Sequence, residues 1–280
     1  MKVTKVIDII TKDDQESFEI ESLRGTDAPS AYHINYKNYG FAKFQIDDKS
    51  LAFFEKNLSK IEDSMSRKQI FNIMYDMLKQ NDISGAQLLN ICKTQLVGET
   101  SVDVMTDVMR FVIPVVIKNY IPPEIYLKSH HDIFELFLAI LGSGTITDKA
   151  TQHLVLDAIL SSARNEDHIA LLVNWFKDDV VTDEKGQKYE QLEISKKQKH
   201  TIVQRIWSSE DIPLEQKEEI MTQLAKIDSS DWLDNTKKVC DSSHPGNKKK
   251  LWDLYFSEDT EVETKDWGLI NFQNSFRGWN

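Results

Sequence analysis

The sequence has few cysteines, glycines and prolines, and it has no long hydrophobic run. Its 280 residues include 2 cysteines, 10 glycines and 6 prolines. Cys92 and Cys240 stand far apart, each inside a helical pattern where a small apolar side chain packs well, so we expect no disulfide. The longest apolar run, 111–117, is far shorter than the roughly 20 residues that span a bilayer. The sequence therefore predicts no transmembrane helix.

Basic charge is also in the minority. The 34 lysines and arginines are outnumbered by 45 aspartates and glutamates, which gives a formal net charge of −11. Proteins that bind nucleic acid need a basic surface to neutralise phosphates, so nucleic acid is not an expected partner. The N-terminal residues show neither the sustained apolar core nor the small-residue cleavage site of a secretory signal. We therefore expect a soluble protein of the cytoplasm, with no membrane partner.

Catalytic motifs are missing as well. The sequence contains no His-Glu-x-x-His string, no phosphate-binding glycine loop ending in Lys-Ser or Lys-Thr, and no Gly-x-Ser-x-Gly elbow. The nearest approach to a metal site is "SHHDIFE", where His131 and Glu135 are spaced i, i+4 on a predicted helix. A third ligand is not evident, so we interpret them as a polar surface pair. We predict no catalytic residue and no metal ligand in this chain.

The first 48 residues have the short alternating pattern of β-strands. Four segments fit this pattern, namely "KVTKVIDII", "ESFEIE", "AYHIN" and "GFAKFQI". In the last of them, Ala42, Phe44 and Ile46 share one side. Four short strands with one apolar face do not make a stable sheet alone, because the inner face stays in contact with water. We expect residues 1–48 to be the remnant of a β-sandwich domain whose beginning is missing.

From residue 49 onward the pattern is helical, with Ser50, Ser66, Ser84, Ser101 and Asp148 as predicted N-caps. The predicted helices are 50–60, 66–80, 84–97, 101–119, 122–142, 147–164, 166–177, 194–208, 213–227, 231–242 and 246–256. Pro114 should kink its helix, and the charged break 178–193 is a predicted solvent loop. Consecutive helices with short turns imply antiparallel pairs stacked side by side. The predicted fold is mostly α: an α-solenoid of HEAT-like antiparallel helix pairs over 49–280, preceded by a small β-strand segment.

Several blocks of sequence resemble a known family. They are "YGFAKFQIDDKSL", "KIEDSMSRKQIFNIMYDMLKQNDISGAQLL" at 60–89, "ETSVDVMTDVM" at 99–109 and "HPGNKKKLWDLYF" at 244–256. The first block resembles the passage where the β-sandwich domain of the aminopeptidase N family of zinc metallopeptidases gives way to its helical C-terminal domain. The resemblance covers residues from about 32 to the C-terminus.

This resemblance implies a noncatalytic domain. In the family, the helical domain encloses the peptide cavity and tunes substrate access, while an upstream catalytic domain holds the zinc and removes N-terminal residues. The expected partners are therefore the peptide substrate and the catalytic domain of the parent enzyme. The chain alone should hold no cofactor and should not hydrolyse peptides. A free-standing helical scaffold that binds a protein partner through its concave face is the alternative, and an enzyme with scattered catalytic residues ranks last.

The resemblance points to two basic residues. Arg67 matches a basic position at the start of the family's second helix, and Lys43 replaces the Arg or Lys of the strand before the junction. Either would contact substrate or the catalytic domain, with Arg67 pairing with a carboxylate. The alternative for Arg67 is a local ion pair with Asp63 at i−4. Three tryptophans at helical positions are predicted to pack in the core: Trp207, Trp232 and Trp252.

Overall fold

The protein is mostly helical in a computed structural model that describes residues 4–10, 17, 19–183, 185–189, 192–244, 247, 253 and 256. Helices α1 to α11 follow one another from Asp48 to Ser243, and these described residues form no β-sheet. The predicted predominance of helix is confirmed. No helix in the described part is both long enough and apolar enough to cross a membrane.

The chain forms two compact units, Met1–Val116 and Ile117–Asn280. The division falls inside α5 (Ile113–Tyr120), well within the predicted helical domain. The first helix begins at Asp48. The predicted division assigned residues 1–48 and 49–280 to two different domains of a parent protein. The two compact units do not test that assignment, which stays a prediction.

The N-terminal segment, residues 4–46, does not contain the predicted strands in its described part. It forms two short 3-10 turns, Glu21–Leu23 and Tyr36–Asn38, and is otherwise irregular. Asn35, the last residue of the predicted strand 31–35, has a positive φ angle of 60°, which ends the extended backbone that a strand requires. A short strand also needs a neighbour to pair its backbone groups. The predicted β-strand segment is therefore not confirmed, and parts of its first two strands lie outside the described residues.

In the first unit, α1 packs against α3, and α2 packs against α3 and α4. The helices are α1 (Asp48–Asn57), α2 (Ser64–Lys79), α3 (Gly85–Leu96), α4 (Val102–Asp107) and the beginning of α5. Apolar side chains spaced three and four positions apart give each helix one buried face. The most completely buried of them include Leu58, Ile70, Met74, Leu88 and Ile91.

Side-chain caps set the beginnings of α1 and α2, but the capping residues lie three positions before the predicted ones. Asp47 accepts a hydrogen bond from the backbone N–H of Ser50, and Asp63 accepts one from Ser66, both at 3.0 Å. Each serine also donates its hydroxyl to the same aspartate. Aspartate and serine are both strong N-cap residues, so sequence pattern alone did not separate them. The predicted caps Ser84 and Asp148 are confirmed.

Pro114 lies in a continuous helical stretch that contains a local widening. Between α4 and α5, residues Val108–Val112 form a π-helical turn. Proline has no N–H to donate and its ring crowds the preceding turn. A π turn is one of the ways in which a helix accommodates a missing hydrogen bond and a crowded turn. The local widening falls on the five residues that precede α5, and the kink predicted at Pro114 itself stays a prediction.

In the second unit, α9 occupies the centre, since it contacts α7, α8, α10 and α11. The helices are α6 (Pro123–Gly142), α7 (Lys149–Ser162), α8 (Glu166–Asp178), α9 (Lys196–Ser208), α10 (Leu214–Ile227) and α11 (Asp231–Ser243). Helices two apart in sequence pack together, α7 with α9 and α9 with α11, as α1 does with α3 in the first unit. The solenoid arrangement of these helices stays a prediction.

The loop between α8 and α9 is anchored to the second unit. The indole Nε1 of Trp175 donates to the carbonyl oxygen of Thr182 at 3.0 Å, and Val181 and Leu192 are buried. Burying these apolar side chains stabilises the loop conformation. The prediction of a solvent loop is therefore wrong for these residues. Of the charged residues described between them, Lys185 and Lys188 are exposed and Asp183 is half-buried.

The predicted core tryptophans have different environments. Trp207 on α9 is buried, as predicted, whereas Trp232 at the start of α11 is 52% exposed. Trp232 lies one position after the first residue of its helix, where the helix end leaves one side of the ring in solvent. Trp252 and most of the last predicted helix, 246–256, lie outside the described residues.

Candidate functional site

Arg67, in the first turn of α2, forms a buried ion pair with Glu99. Its Nε and Nη2 donate to the two carboxylate oxygens at 2.7 and 2.6 Å. The side chains of Arg67 and Glu99 are 6% and 1% exposed. The remaining guanidinium nitrogen, Nη1, donates to the carbonyl oxygens of Ile61 and Glu62. Such two-pronged pairing fixes the geometry of both side chains, and the partner is Glu99 rather than the predicted local partner Asp63.

Glu99 also organises the start of α4. Its Oε1 accepts hydrogen bonds from the backbone N–H groups of Thr100 at 2.9 Å and Ser101 at 2.7 Å. The first N–H groups of a helix have no partner within the helix, and a carboxylate there is favourable. Ser101, the predicted cap, makes no capping bond with its side chain. A substrate or another domain would have to compete with these contacts for Arg67, whose predicted binding role stays a prediction.

Lys43 lies in the irregular segment before α1 and is exposed. It shares an open groove with two residues that precede it, two residues of α2 and the residue that follows α2: Phe41, Ala42, Asp76, Lys79 and Gln80. The ring of Phe41 is fully exposed. An exposed ammonium beside an exposed aromatic ring is available to a partner, so Lys43 is placed where the predicted contact is sterically open.

Two arginines of the second unit meet at the C-terminal end of α7. Arg205, on α9, donates its Nε–H to the carbonyl oxygen of Leu160 at 3.1 Å. Arg164, just after α7, donates from Nη1 to the carbonyl oxygen of Ala163 at 2.8 Å. The C-terminal end of a helix carries about half a negative charge. It therefore offsets only a fraction of the two positive charges.

No aspartate or glutamate is among the described residues that shift the pKa values of these two arginines. Burial lowers the pKa of Arg205 to about 9, and the nearby charge of Arg164 acts in the same direction. Burial also lowers the pKa of Arg164, while a hydrogen bond with the Tyr126 hydroxyl opposes that shift. Both guanidinium groups remain protonated at neutral pH. Both residues keep part of their surface exposed, although the Nε of Arg164 is buried and has no hydrogen-bond partner among the described residues.

His130 on α6 completes this group, which we name the arginine cluster: Tyr126, His130, Arg164 and Arg205. The His130 side chain is 6% exposed, and neither ring nitrogen makes a hydrogen bond within the described part of the chain. Its ring meets that of Tyr126 edge-on, with centroids 4.6 Å apart. Burial, followed by the charges of Arg164 and Arg205, lowers the pKa of His130 to about 3. His130 is therefore neutral.

A second group of polar side chains, which we name the histidine cluster, joins α6 to α8. It consists of His131, Glu135 and His168, whose ligand atoms all lie within 4.8 Å of one another. The Nδ1 of His131 is 3.0 Å from the Nε2 of His168. His168 has no exposed surface, and burial, followed by the proximity of His131, lowers its pKa to about 4. The pair predicted from sequence thus has a third member.

Sequence reasoning missed both His168 and the arginine cluster. His168 is 37 positions from His131, and only the packing of α8 against α6 brings the two rings together. A single arginine in a helix or at its end is ordinary, so neither Arg164 nor Arg205 has a distinctive local pattern. The pair of adjacent histidines in "SHHDIFE" was the only local signal for either cluster.

Comparison with known proteins does not identify the chain. No protein-family model matches it, and no curated protein matches its sequence. The resemblance to the aminopeptidase N family therefore stays a proposal.

Proposed function

We propose that this chain is the noncatalytic C-terminal region of a zinc aminopeptidase, namely the end of a β-sandwich followed by the helical cap domain. It encloses the peptide cavity and tunes substrate access, while an upstream catalytic domain holds the zinc and removes N-terminal residues. The chain alone does not hydrolyse peptides. Its partners are the peptide substrate and that catalytic domain.

The observation that carries this proposal is the exposure of apolar side chains before α1. Large apolar residues between positions 4 and 41 lie in solvent: Val6, Ile9, Ile10, Tyr32, Ile34, Tyr39 and Phe41. Single exposed apolar residues are normal, but this many in one segment indicates a surface that another structure covers. Tyr32 with Ile34 and Tyr39 with Phe41 are spaced two apart, as on one face of a strand. The occupant we propose is the rest of the β-sandwich.

The helical part fits the same proposal. Helices two apart in sequence pack together within each unit, as they do in stacked antiparallel pairs. We propose that these pairs form an α-solenoid whose concave face receives the peptide. Solenoids commonly bind extended ligands on that face.

The arginine cluster supplies a binding group for the peptide. Two protonated guanidinium groups without a carboxylate partner attract a carboxylate, and arginine can bind its two oxygens together. Every peptide substrate carries such a group at its C-terminus. We propose that Arg164 and Arg205 bind this carboxylate while Tyr126 and His130 contribute neutral hydrogen bonds. Contact with the far end of a peptide would make binding depend on peptide length.

Peptide binding to the purified chain tests this role. Two fluorescent peptides of one sequence, with a free C-terminal carboxylate or with an amide, are titrated and followed by polarisation. Charge-assisted hydrogen bonds contribute about 1.5–3 kcal/mol, so the free acid should bind at least about tenfold more tightly. The variant Arg205→Gln should remove that difference, and Arg110→Gln, at an exposed arginine of the first unit, should preserve it. Equal binding of both peptides would contradict the role of the arginine cluster.

A free-standing helical scaffold is the second candidate. The arginine cluster favours it equally, because an aspartate or glutamate of a protein partner also presents a carboxylate. The two candidates differ in what covers the apolar segment before α1 and in whether a catalytic domain belongs to the same protein.

A further inference from the structure

The histidine cluster has the composition of a transition-metal site. Imidazole nitrogen and carboxylate oxygen are common ligands of Zn²⁺, and two histidines with one glutamate leave a further coordination position open. We propose that His131, Glu135 and His168 bind one divalent transition-metal ion, with Zn²⁺ the best fit to this ligand set. This site lies within the second unit and does not depend on the function proposed above.

The positions of the ligand atoms are close to those that zinc requires. At a Zn–N distance of about 2.0–2.1 Å, two nitrogens of a tetrahedral site lie about 3.3 Å apart. The Nδ1 of His131 and the Nε2 of His168 are 3.0 Å apart, so the partly exposed His131 ring has to turn until its lone pair points at an ion shared with His168. A carboxylate oxygen of Glu135 is within 4.8 Å of a nitrogen of each ring, and one χ rotation can bring an oxygen closer.

The two helices hold the ligands in different ways. His131 and Glu135 are one turn apart on α6, so they present their ligand atoms on the same face. His168 lies in the first turn of α8, where its ring stacks on that of Phe134 with centroids 3.8 Å apart. This stacking restricts the orientation of the buried ring. His168 thus provides a fixed ligand, while the partly exposed His131 and Glu135 can adjust.

A hydrogen bond between the two rings accounts for the same nitrogen distance without metal. In that arrangement one ring donates an N–H to the other, and metal binding would replace this shared proton. Metal-bound histidines usually donate their second N–H to an acceptor. The Nδ1 of His168 is buried and has no hydrogen-bond partner among the described residues. Because this support is missing, we expect weaker binding than at fully supported zinc sites.

Metal titration of the purified, untagged full chain tests the proposal. After treatment with chelator, Zn²⁺ is added and binding is measured by calorimetry, and Co²⁺ is added separately to record its visible absorption spectrum. We expect one ion per chain, a Co²⁺ spectrum with nitrogen ligands, and a higher melting temperature with Zn²⁺. Loss of an outer-shell contact weakens metal sites by about 10–100-fold, so loss of a direct ligand should weaken binding by at least about tenfold.

Three variants separate the site from adventitious binding. His131→Asn and Glu135→Gln change partly exposed residues and should preserve the fold while weakening Zn²⁺ binding. His153→Asn is the matched control, because His153 lies on α7 and interacts with Gln198 instead. It should bind Zn²⁺ like the original protein. Absence of binding to the original protein at micromolar Zn²⁺, or equal binding by His131→Asn and the original protein, would overturn the proposal.

Discussion

The buried ion pair between Arg67 and Glu99 joins the first turn of α2 to the start of α4, two elements 32 positions apart in sequence. Its geometry is two-pronged, and both side chains are almost completely excluded from solvent. Each partner has further hydrogen bonds to backbone groups. Desolvating two charges is costly, so such a pair stabilises a fold only when both partners remain.

Breaking this pair should destabilise the first unit strongly. Glu99→Gln leaves the Arg67 charge buried without a carboxylate, which typically costs about 3–5 kcal/mol. The control is Lys68→Gln, since the Lys68–Asp107 pair has side chains 34% and 28% exposed and should contribute about 0–1 kcal/mol. Urea unfolding measures both. A loss below about 1 kcal/mol for Glu99→Gln would contradict a buried pair.

The aspartate caps predict a smaller effect on stability. Replacing Asp63 by alanine removes the acceptor for the backbone N–H of Ser66 at the start of α2. Loss of such a cap typically costs about 1 kcal/mol in unfolding free energy. Ser101→Ala is the control, because Ser101 makes no side-chain capping bond, and it should stay within about 0.5 kcal/mol. Equal losses in the two variants would show that Asp63 is not the cap.

The interaction between Asp228 and His200 predicts a pH dependence. Hydrogen bonds from the Ser230 backbone, followed by the His200 side chain, lower the pKa of Asp228 from 3.8 to about 2. A carboxyl group whose pKa is lower in the folded state stabilises the fold above its unfolded pKa. That stabilisation is therefore complete above about pH 4 and disappears as the pH falls towards about 2.

Comparison with a variant isolates this contribution. Asp228→Asn should be less stable than the original protein at about pH 6, and the difference should shrink as the pH approaches about 2. Asp27→Asn, at an exposed position of the N-terminal segment, changes the net charge equally and should show a much smaller pH-dependent difference. Urea unfolding across this pH range gives the result. A difference for Asp228→Asn that is independent of pH would be inconsistent with a lowered pKa.

The cysteines should be unreactive until the protein unfolds. Cys92 and Cys240 are both free and are 0% and 1% exposed. Burial raises the pKa of Cys92 to about 12 and also raises that of Cys240. The thiolate is the reactive form, so a thiol reagent should modify neither residue in the native protein and both in guanidinium chloride without reductant. Fast modification of either cysteine in the native protein would contradict the burial of the thiols. Modification of fewer than two cysteines after unfolding would show that they are not both free.

The helices were predictable because their signals are local. Periodic apolar residues and capping side chains placed the beginnings of α1 to α4 and of α6 to α11 to within about two residues. The beginning of α5 was not predicted, because residues 101–119 were predicted as one helix. The N-terminal strands were predicted by the same local logic, but a strand depends on a partner that sequence periodicity does not supply. The positive φ angle at Asn35 ends the predicted strand 31–35, and the apolar alternation of the sequence does not reveal it.

The clusters were not predictable because they depend on packing between helices. His131 and Glu135 are one turn apart and were visible as a pair, whereas His168 reaches them only through the contact of α8 with α6. Arg164 and Arg205 meet at the end of α7 for the same reason. A burial pattern shows which face of a helix is covered but not which helix covers it.

The most direct test of the proposed function uses the protein in the cells that produce it. An antibody against residues 49–280 is used to determine the size of the chain and to isolate it for an assay with amino-acid amide substrates. We expect a chain much larger than 32.4 kDa and release of N-terminal residues that a zinc chelator abolishes. A chain of about 32 kDa without such activity would contradict the aminopeptidase assignment and favour the free-standing scaffold.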